Sequence, residues 1–312
     1  MDHVPARVMW RRELIAAGFA AGELRQRVRV GALVSIRRGA YLTGALPPDP
    51  ELRHVILVRA ALPDLAADAV VSHASAAVLL GLPLWNVPLG HVHVTRCRRS
   101  GARRSSGAHV HAAPLQPDEI VEVDGLRLTS PARTVVDLAR WLPFEQAVVA
   151  ADGALRLQLV TREGLAEAVE RAARRPGSPA ARRVVAFADE RSESPGESRS
   201  RVALHNAGLP PPVLQWEVHG RSGLWLARTD FGWPELRTVG EFDGKIKYGR
   251  LLKPGQTPGD AVFEEKRRED ALRDESLRVV RWTWGELDHF DPVAERLRRA
   301  FGASERTSQH VG

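Results

Sequence analysis

Three carboxylates in the last third of the chain, Asp230, Glu241 and Asp243, are spaced so that a small sheet would bring them together. If the runs around them are neighbouring strands joined by a turn at Pro234-Glu235, Asp230 faces Glu241 or lies one step from it. The two-residue period of a strand then puts Glu241 and Asp243 on one face. Packed carboxylates repel and raise one another's pKa unless a cation neutralises them, so Mg²⁺ or Mn²⁺ is the expected cofactor, with Asp230 and Glu241 as its ligands. Such an ion lowers the pKa of a bound water and polarises a phosphoryl oxygen, which is the chemistry of phosphodiester cleavage. Lys245, next in phase beyond Gly244, would orient or deprotonate that water, with Lys247 as the substitute. All four lysines, Lys245, Lys247, Lys253 and Lys266, fall in this one segment of an otherwise arginine-based chain. Lysine can lose its proton where arginine cannot. Asp243-Gly244 also reads as a turn signal, so the two readings of that pair stand side by side.

Other chemistry is thinly represented. A lone cysteine, Cys97, can form neither an internal disulfide nor a cysteine zinc cluster. His91 and His93, and His109 and His111, share strand faces at i and i+2 and could ligate a metal, but no nearby carboxylate or cysteine completes a tetrahedral set. Exposed strand histidines are the expectation there.

The elements that position these residues fall into three parts. At 312 residues the chain has room for two domains or three small ones, and its apolar and charged fractions are those of a globular protein. No apolar run approaches the ~20 residues of a membrane helix, and residues 1–7 lack the pattern of a secretory signal, so a cytoplasmic protein is expected. The net charge of +7 points to an anionic partner, DNA in the first place. Residues 1–50 read as helix, helix and a short basic hairpin, the layout of a winged helix-turn-helix. Arg25, Arg27 and Arg29 lie on its second helix and Arg37 and Arg38 at the hairpin tip, as contacts for DNA. The alternative is a small helical cap with a solvated arginine face.

Residues 51–185 read as a mixed α+β domain with a helical linker. Ser72 to Pro83 is a core-packing helix. The strands around 91–95 and 109–111 form a basic hairpin carrying Arg96, Arg98, Arg99, Arg103 and Arg104, and Ser130-Pro131 opens a core helix. Residues 186–303 read as helix, three strands, helix, strand, followed by a disordered tail at 304–312. The fold class expected overall is α/β multidomain.

Two resemblances add to this. Gly18-Phe19, Arg37-Arg38-Gly39-Ala40-Tyr41-Leu42, Ser72-His73-Ala74-Ser75-Ala76-Ala77 with Gly81-Leu82-Pro83, and Thr129-Ser130-Pro131-Ala132-Arg133-Thr134-Val135-Val136-Asp137-Leu138 occur in that order. Over residues 5–160 the chain therefore resembles the AbiEi-type antitoxins and transcriptional regulators of actinobacteria. The resemblance implies an operator-binding winged helix and, in an antitoxin, a cognate toxin encoded nearby. The α-β-β-β-α-β order of residues 190–300 carries Glu197-Ser198-Arg199, Thr229-Asp230-Phe231, Glu241-Phe242-Asp243-Gly244 and Val279-Val280-Arg281-Trp282. It resembles the PD-(D/E)XK nuclease superfamily, in its branch similar to the very-short-patch-repair endonucleases. That resemblance implies a restriction-endonuclease-like core in which Asp230 and Glu241 hold metal, Glu197 is the acidic residue of the first helix, and Lys245 or Lys247 is the motif lysine. The superfamily's lysine usually follows the acidic residue by two, where this chain has Asp243, so the lysine has migrated or the site is degenerate. Glu197 also stands three residues after Ser194, the spacing of a capping box. An endonuclease and a regulator with a catalytically degenerate nuclease fold are the two functions these residues allow.

Overall fold

The computed structural model describes residues 7–98, 101, 103–105, 107–244 and 258–308. The chain forms two compact units, Met1–Phe187 and Ala188–Gly312. It is a mixed α/β protein with three separate sheets. No helix among the described residues is long and apolar enough to cross a membrane.

The first unit opens with β1 (Met9–Trp10), α1 (Arg11–Ala16), α2 (Ala21–Arg29), β2 (Leu33–Arg37) and β3 (Ala40–Thr43). The three strands form an antiparallel sheet of order β1-β3-β2. Gly39 turns the β2–β3 hairpin at a φ of +80°, where a side chain would be strained. Leu14, Leu24 and Leu33 bury a small core under α1 and α2. Helix α3 (Pro50–Ala61) follows, started by the Asp49 carboxylate, which accepts the Glu51 and Leu52 N–H groups ahead of a proline in the first turn. The expected boundary near residue 50 falls inside this unit.

The remainder of the unit is built on a six-stranded sheet. Its elements are β4 (Ala69–Val71), α4 (His73–Leu79), β5 (Val92–Arg96), β6 (Arg103–Ser105), β7 (Ala108–Ala112), β8 (Ile120–Val123) and β9 (Leu126–Thr129). Four helices close it: α5 (Pro131–Trp141), α6 (Phe144–Arg156), α7 (Arg162–Arg171) and α8 (Ser178–Phe187). The strand order is β6-β7-β5-β4-β9-β8. Here the expected basic hairpin is corrected. β5 and β7 pair in parallel, with His93 opposite His109 and Thr95 opposite His111, and the antiparallel partner of β7 is the short β6. Parallel neighbours need a crossover, and the arginine-, serine- and glycine-rich segment between them supplies it. Ser130 caps α5 by accepting the Arg133 N–H, with Pro131 at the first helical position.

The second unit contains α9 (Pro195–Asn206), β10 (Val213–His219), β11 (Trp225–Trp233), β12 (Thr238–Asp243), α10 (Pro258–Asp274), β13 (Arg278–Thr283), α11 (Trp284–Leu287) and α12 (Asp291–Ser308). Its sheet runs β10-β11-β12-β13, antiparallel across the first two pairs and parallel across the last. Phe231, Trp233, Phe242 and Trp282 from the sheet pack with Leu204, Val293 and Leu297 from helices to make its main core. The indole of Trp282 is fully buried and donates to Ser200 Oγ at 2.7 Å, so its one polar atom is satisfied. The tail expected to be disordered from residue 304 is helical as far as Ser308.

Candidate functional site

Two groups of chemically capable side chains stand out, one in each unit, together with an arginine-bearing helix in the first. In the second unit the β11–β12 register pairs Phe231 with Gly240, so Asp230 and Glu241 flank one rung of the ladder. Asp230 Oδ2 accepts the Phe242 N–H at 2.8 Å, which fixes its carboxylate across the strand gap. Glu197 sits in the first turn of α9 and is buried. Its carboxylate accepts from the Glu193 N–H at 2.9 Å, the Ser194 hydroxyl at 2.8 Å and the Gln215 amide at 2.9 Å. Gln215 reaches it from a left-handed backbone position, φ +51°. Burial, and secondly the charge of Asp230, push the Glu197 carboxyl up to about 7. Ser194 Oγ caps the helix by accepting the Glu197 N–H at 3.2 Å, while the Glu197 carboxylate takes the Glu193 N–H in place of the Ser194 N–H of a full capping box, so half of that geometry stands beside the electrostatic coupling.

Glu241 is buried between two arginines that the sequence did not assign to it. Arg281, on the parallel strand β13 and its direct partner in the ladder, donates from Nε to Oε2 at 2.8 Å. Arg268, on α10, brings Nη1 to 2.8 Å from Oε1. That second contact is an ion pair without hydrogen-bond alignment, since Oε1 is buried and accepts no hydrogen bond. Arg281 Nη1 also lies 3.1 Å from Glu269 Oε2. Asp243, half-buried at the end of β12, is in phase with Glu241. Lys245 and Lys247 lie outside the described residues.

On the N-terminal helix, Arg25, Arg27 and Arg29 are all exposed. Arg27 pairs with Glu23 at 3.0 Å and lies over the Phe19 ring, whereas no ion pair is recorded for Arg25 or Arg29 among the described residues. Arg38 is exposed at the hairpin tip. Arg37 instead turns inward, with Nη1 2.9 Å from Asp64 Oδ2 and 3.4 Å from the Ala60 carbonyl.

The histidines of the first unit depart most from expectation. His93 is buried, and His109 and His111 are half-buried, so the β5 and β7 histidines are not an exposed strand face. The third member of their cluster is His73, which begins the helix expected to serve only as packing. His73, His93 and His111 each offer a ring nitrogen, and the three atoms lie within 4.8 Å of one another, a set that could hold a metal ion. Among the described residues this is the one group of three or more histidine, cysteine or acidic side chains so arranged.

His73 and His111 stack at 3.6 Å between ring centroids, and His93 Nδ1 approaches His111 Nε2 at 3.0 Å, so one of those two nitrogens carries the shared proton. Burial drives the His73 imidazole well below its usual range and takes His93 down to about 2, with the neighbouring histidines adding to both shifts. Both rings are neutral at physiological pH. His73 holds φ +52°, a conformation that a residue with a Cβ seldom adopts.

A polar frame fixes these rings. The Thr95 hydroxyl donates to Ser72 Oγ at 2.8 Å, and Ser72 Oγ meets His73 Nδ1 at 3.0 Å. His54 Nδ1 donates to the Leu89 carbonyl at 2.8 Å, which leaves its Nε2 to accept from the Ser75 hydroxyl, and Ser75 Oγ in turn accepts the His93 N–H. Trp141 packs on the rings of His73 and His93. Beneath α4, the buried Arg133 joins Glu119 at 2.9 Å and Asp137 at 2.7 Å, and Asp137 also takes Arg140 at 2.8 Å. Arg175 donates to the same Pro114 carbonyl as Arg133 and adds a third cation beside the two anions.

The fold and sites define a two-unit mixed α/β protein with a histidine cluster between a helix and one sheet and a carboxylate pair on another sheet. The chain belongs to the family of the uncharacterized proteins Rv2248 and MT2308 of two Mycobacterium tuberculosis strains. It is 33% identical to each over 266 residues, which span 79% of this chain and 92% of each relative. No protein-family model matches it. Among solved structures it is similar to the crystal structure of the RV2827C protein from Mycobacterium tuberculosis, at a TM-score of 0.40 and 18% identity. That likeness covers 68% of this chain and 83% of the other.

Proposed function

We propose that the protein binds DNA through an N-terminal winged helix and carries, in its second unit, a Mg²⁺- or Mn²⁺-dependent endonuclease domain of the PD-(D/E)XK type. The observation that carries this reading is the pairing of β11 with β12. It sets Asp230 and Glu241 beside the same rung, on a sheet whose last strand is parallel, with the acidic Glu197 supplied by the preceding helix. The donor set suits the ion: Glu241 Oε1 is a buried carboxylate oxygen without a hydrogen bond, and carboxylates are the hard oxygen donors that Mg²⁺ takes, one or two at a time, beside a substrate's phosphates. Asp230 and Glu241 would hold the metal, which supplies Lewis acidity toward a phosphodiester and a lowered pKa for its water.

The chain's own groups have separate tasks. The Phe242 N–H orients Asp230. Glu197, with its carboxyl near 7, is able to exchange a proton at neutral pH. Arg268 and Arg281, whose side chains are 28% and 33% exposed, have room to turn from Glu241 toward a phosphate. Arg25, Arg27, Arg29 and Arg38 serve the winged helix as contacts to the DNA backbone.

The arginine clasp on Glu241 favours a second reading. With both oxygens of that carboxylate facing guanidinium groups, the fold neutralises its own acid without a metal ion, as expected of a regulator or antitoxin that keeps a nuclease fold only for binding. A cognate toxin would then be the partner. Cleavage of DNA by the full chain with Mg²⁺ or Mn²⁺, compared with Asp230→Asn, decides between them. Asparagine retains an acceptor for the Phe242 N–H and removes the charge. Metal-dependent cleavage abolished by the substitution supports the nuclease; intact DNA with sequence-specific, metal-independent binding supports the regulator.

A further inference from the structure

We propose that His73, His93 and His111 form a zinc site in the first unit, with three imidazole ligands and a fourth position open to water or an exogenous donor. Neutral imidazole is a preferred ligand of Zn²⁺, and three such donors with one open position is a recurrent zinc arrangement. The ligand atoms already lie within 4.8 Å of one another. A tetrahedral ion with Zn–N bonds of about 2.0–2.1 Å places its nitrogens about 3.3 Å apart, and the 3.0 Å approach of His93 Nδ1 to His111 Nε2 is near that separation. Modest ring movements close the set.

The surroundings are those of a metal site rather than of a packed core. Metal-bound histidines have their second nitrogen fixed by a hydrogen-bonding neighbour, which sets tautomer and ring orientation. Ser72, itself held by Thr95, does this at His73 Nδ1 and leaves Nε2 as the ligand atom. The His54–Ser75 pair anchors the backbone of His93. Arg133 and Arg140, the arginines nearest to His73, are themselves engaged in ion pairs with Glu119 and Asp137. Finally, His73 is held at φ +52°, which directs a helix-initiating residue onto the sheet histidines. Zinc bound there would tie α4 to β5 and β7.

The site is separate from the carboxylates of the second unit, so the two proposals fail independently. The test is zinc uptake by the full chain, purified without a polyhistidine tag and stripped with chelator. Uptake is measured by elemental analysis and by competition with a chromophoric chelator for wild type, His93→Gln, His111→Gln, Ser72→Ala and Asp230→Asn. About one Zn²⁺ per chain is expected, with a Kd below about 1 μM. It should weaken more than about 100-fold in either histidine variant and at least about tenfold in Ser72→Ala. Asp230→Asn should bind as wild type.

Because a buried histidine variant can misfold, the wild type is also loaded with Co²⁺. The intense visible bands of a tetrahedral cobalt site are expected, and their displacement by one equivalent of Zn²⁺. Failure of the wild type to take up zinc, uptake unchanged in folded His93→Gln and His111→Gln, or the weak spectrum of octahedral cobalt would each overturn the assignment.

Discussion

Replacing Arg133 by methionine tests the physical account of the first unit. Arg133 is 2% exposed, and its guanidinium donates to Glu119, to Asp137 and to the Pro114 carbonyl at 2.9, 2.7 and 3.1 Å. Methionine retains most of the packing volume and removes all three bonds and the charge. Glu119 then loses the one guanidinium that pairs with it among the described residues and keeps the Gln116 N–H, whereas Asp137 keeps Arg140. Stranding a partner of a buried ion pair costs roughly 3–5 kcal/mol, and since one of the two stranded carboxylates retains an arginine we expect about 3 kcal/mol. For a unit of this size that corresponds to a fall in Tm of about 6–12 °C.

The assay is urea and thermal unfolding followed by circular dichroism. Arg133→Lys should lie between wild type and Arg133→Met, because it restores the charge without the planar fork. The double variant Arg133→Met with Glu119→Gln should recover part of the loss, since the stranded charge goes with it. A loss below about 1 kcal/mol in Arg133→Met, or strict additivity with Glu119→Gln, would refute the reasoning that this network is a coupled, desolvated unit.

Three further outcomes follow from the geometry. The folded Glu197 carboxyl titrates near 7 against 4.5 unfolded, so its stability contribution is complete below about 4.5 and is lost as pH rises through about 7. Glu197→Gln should therefore gain on wild type by about 3 kcal/mol over that window, and a pH-independent difference in unfolding free energy would contradict the shift. Arg25→Ala and Arg29→Ala should each reduce the slope of log affinity against log salt for DNA by about one. Arg37→Ala should leave it unchanged, because that side chain faces Asp64 and Ala60; an equal effect of all three in filter binding would defeat the distinction. A Cβ at Gly196 would fall 2.0 Å from the Phe242 ring, so Gly196→Ala should destabilise the second unit by about 1–3 kcal/mol on denaturant unfolding, despite alanine's better helix propensity.

Local signals made much of this fold readable in advance. Ser194-Pro195 with Glu197 predicts the start of α9, and the structure puts the capping bonds there. The strand runs around Asp230 and Glu241 are also where the alternation puts them. What escaped was non-local. The parallel pairing of β5 with β7 depends on a crossover through a segment whose composition reads equally well as a hairpin tip. His73 joins the cluster because its left-handed backbone turns it toward strands that start about 20 and 35 residues later and are separated from each other by a crossover. The arginine partners of Glu241 come from α10 and β13, about 30 and 40 residues away, and a charged helix with regular spacing is most simply read as solvated. Spacing along a chain reports what one element can do. Which other element will face it is set by topology.

Calorimetric titration of the full chain with Mg²⁺, for wild type and Asp230→Asn, is the most direct test of the endonuclease reading. Magnesium has little affinity for imidazole, so the histidine cluster does not contribute to the heat. Saturable binding in the wild type that disappears in Asp230→Asn, with the variant's fold intact, is the predicted result. Absence of binding in the wild type, in the presence and absence of duplex DNA, or binding unaffected by the substitution, would contradict it.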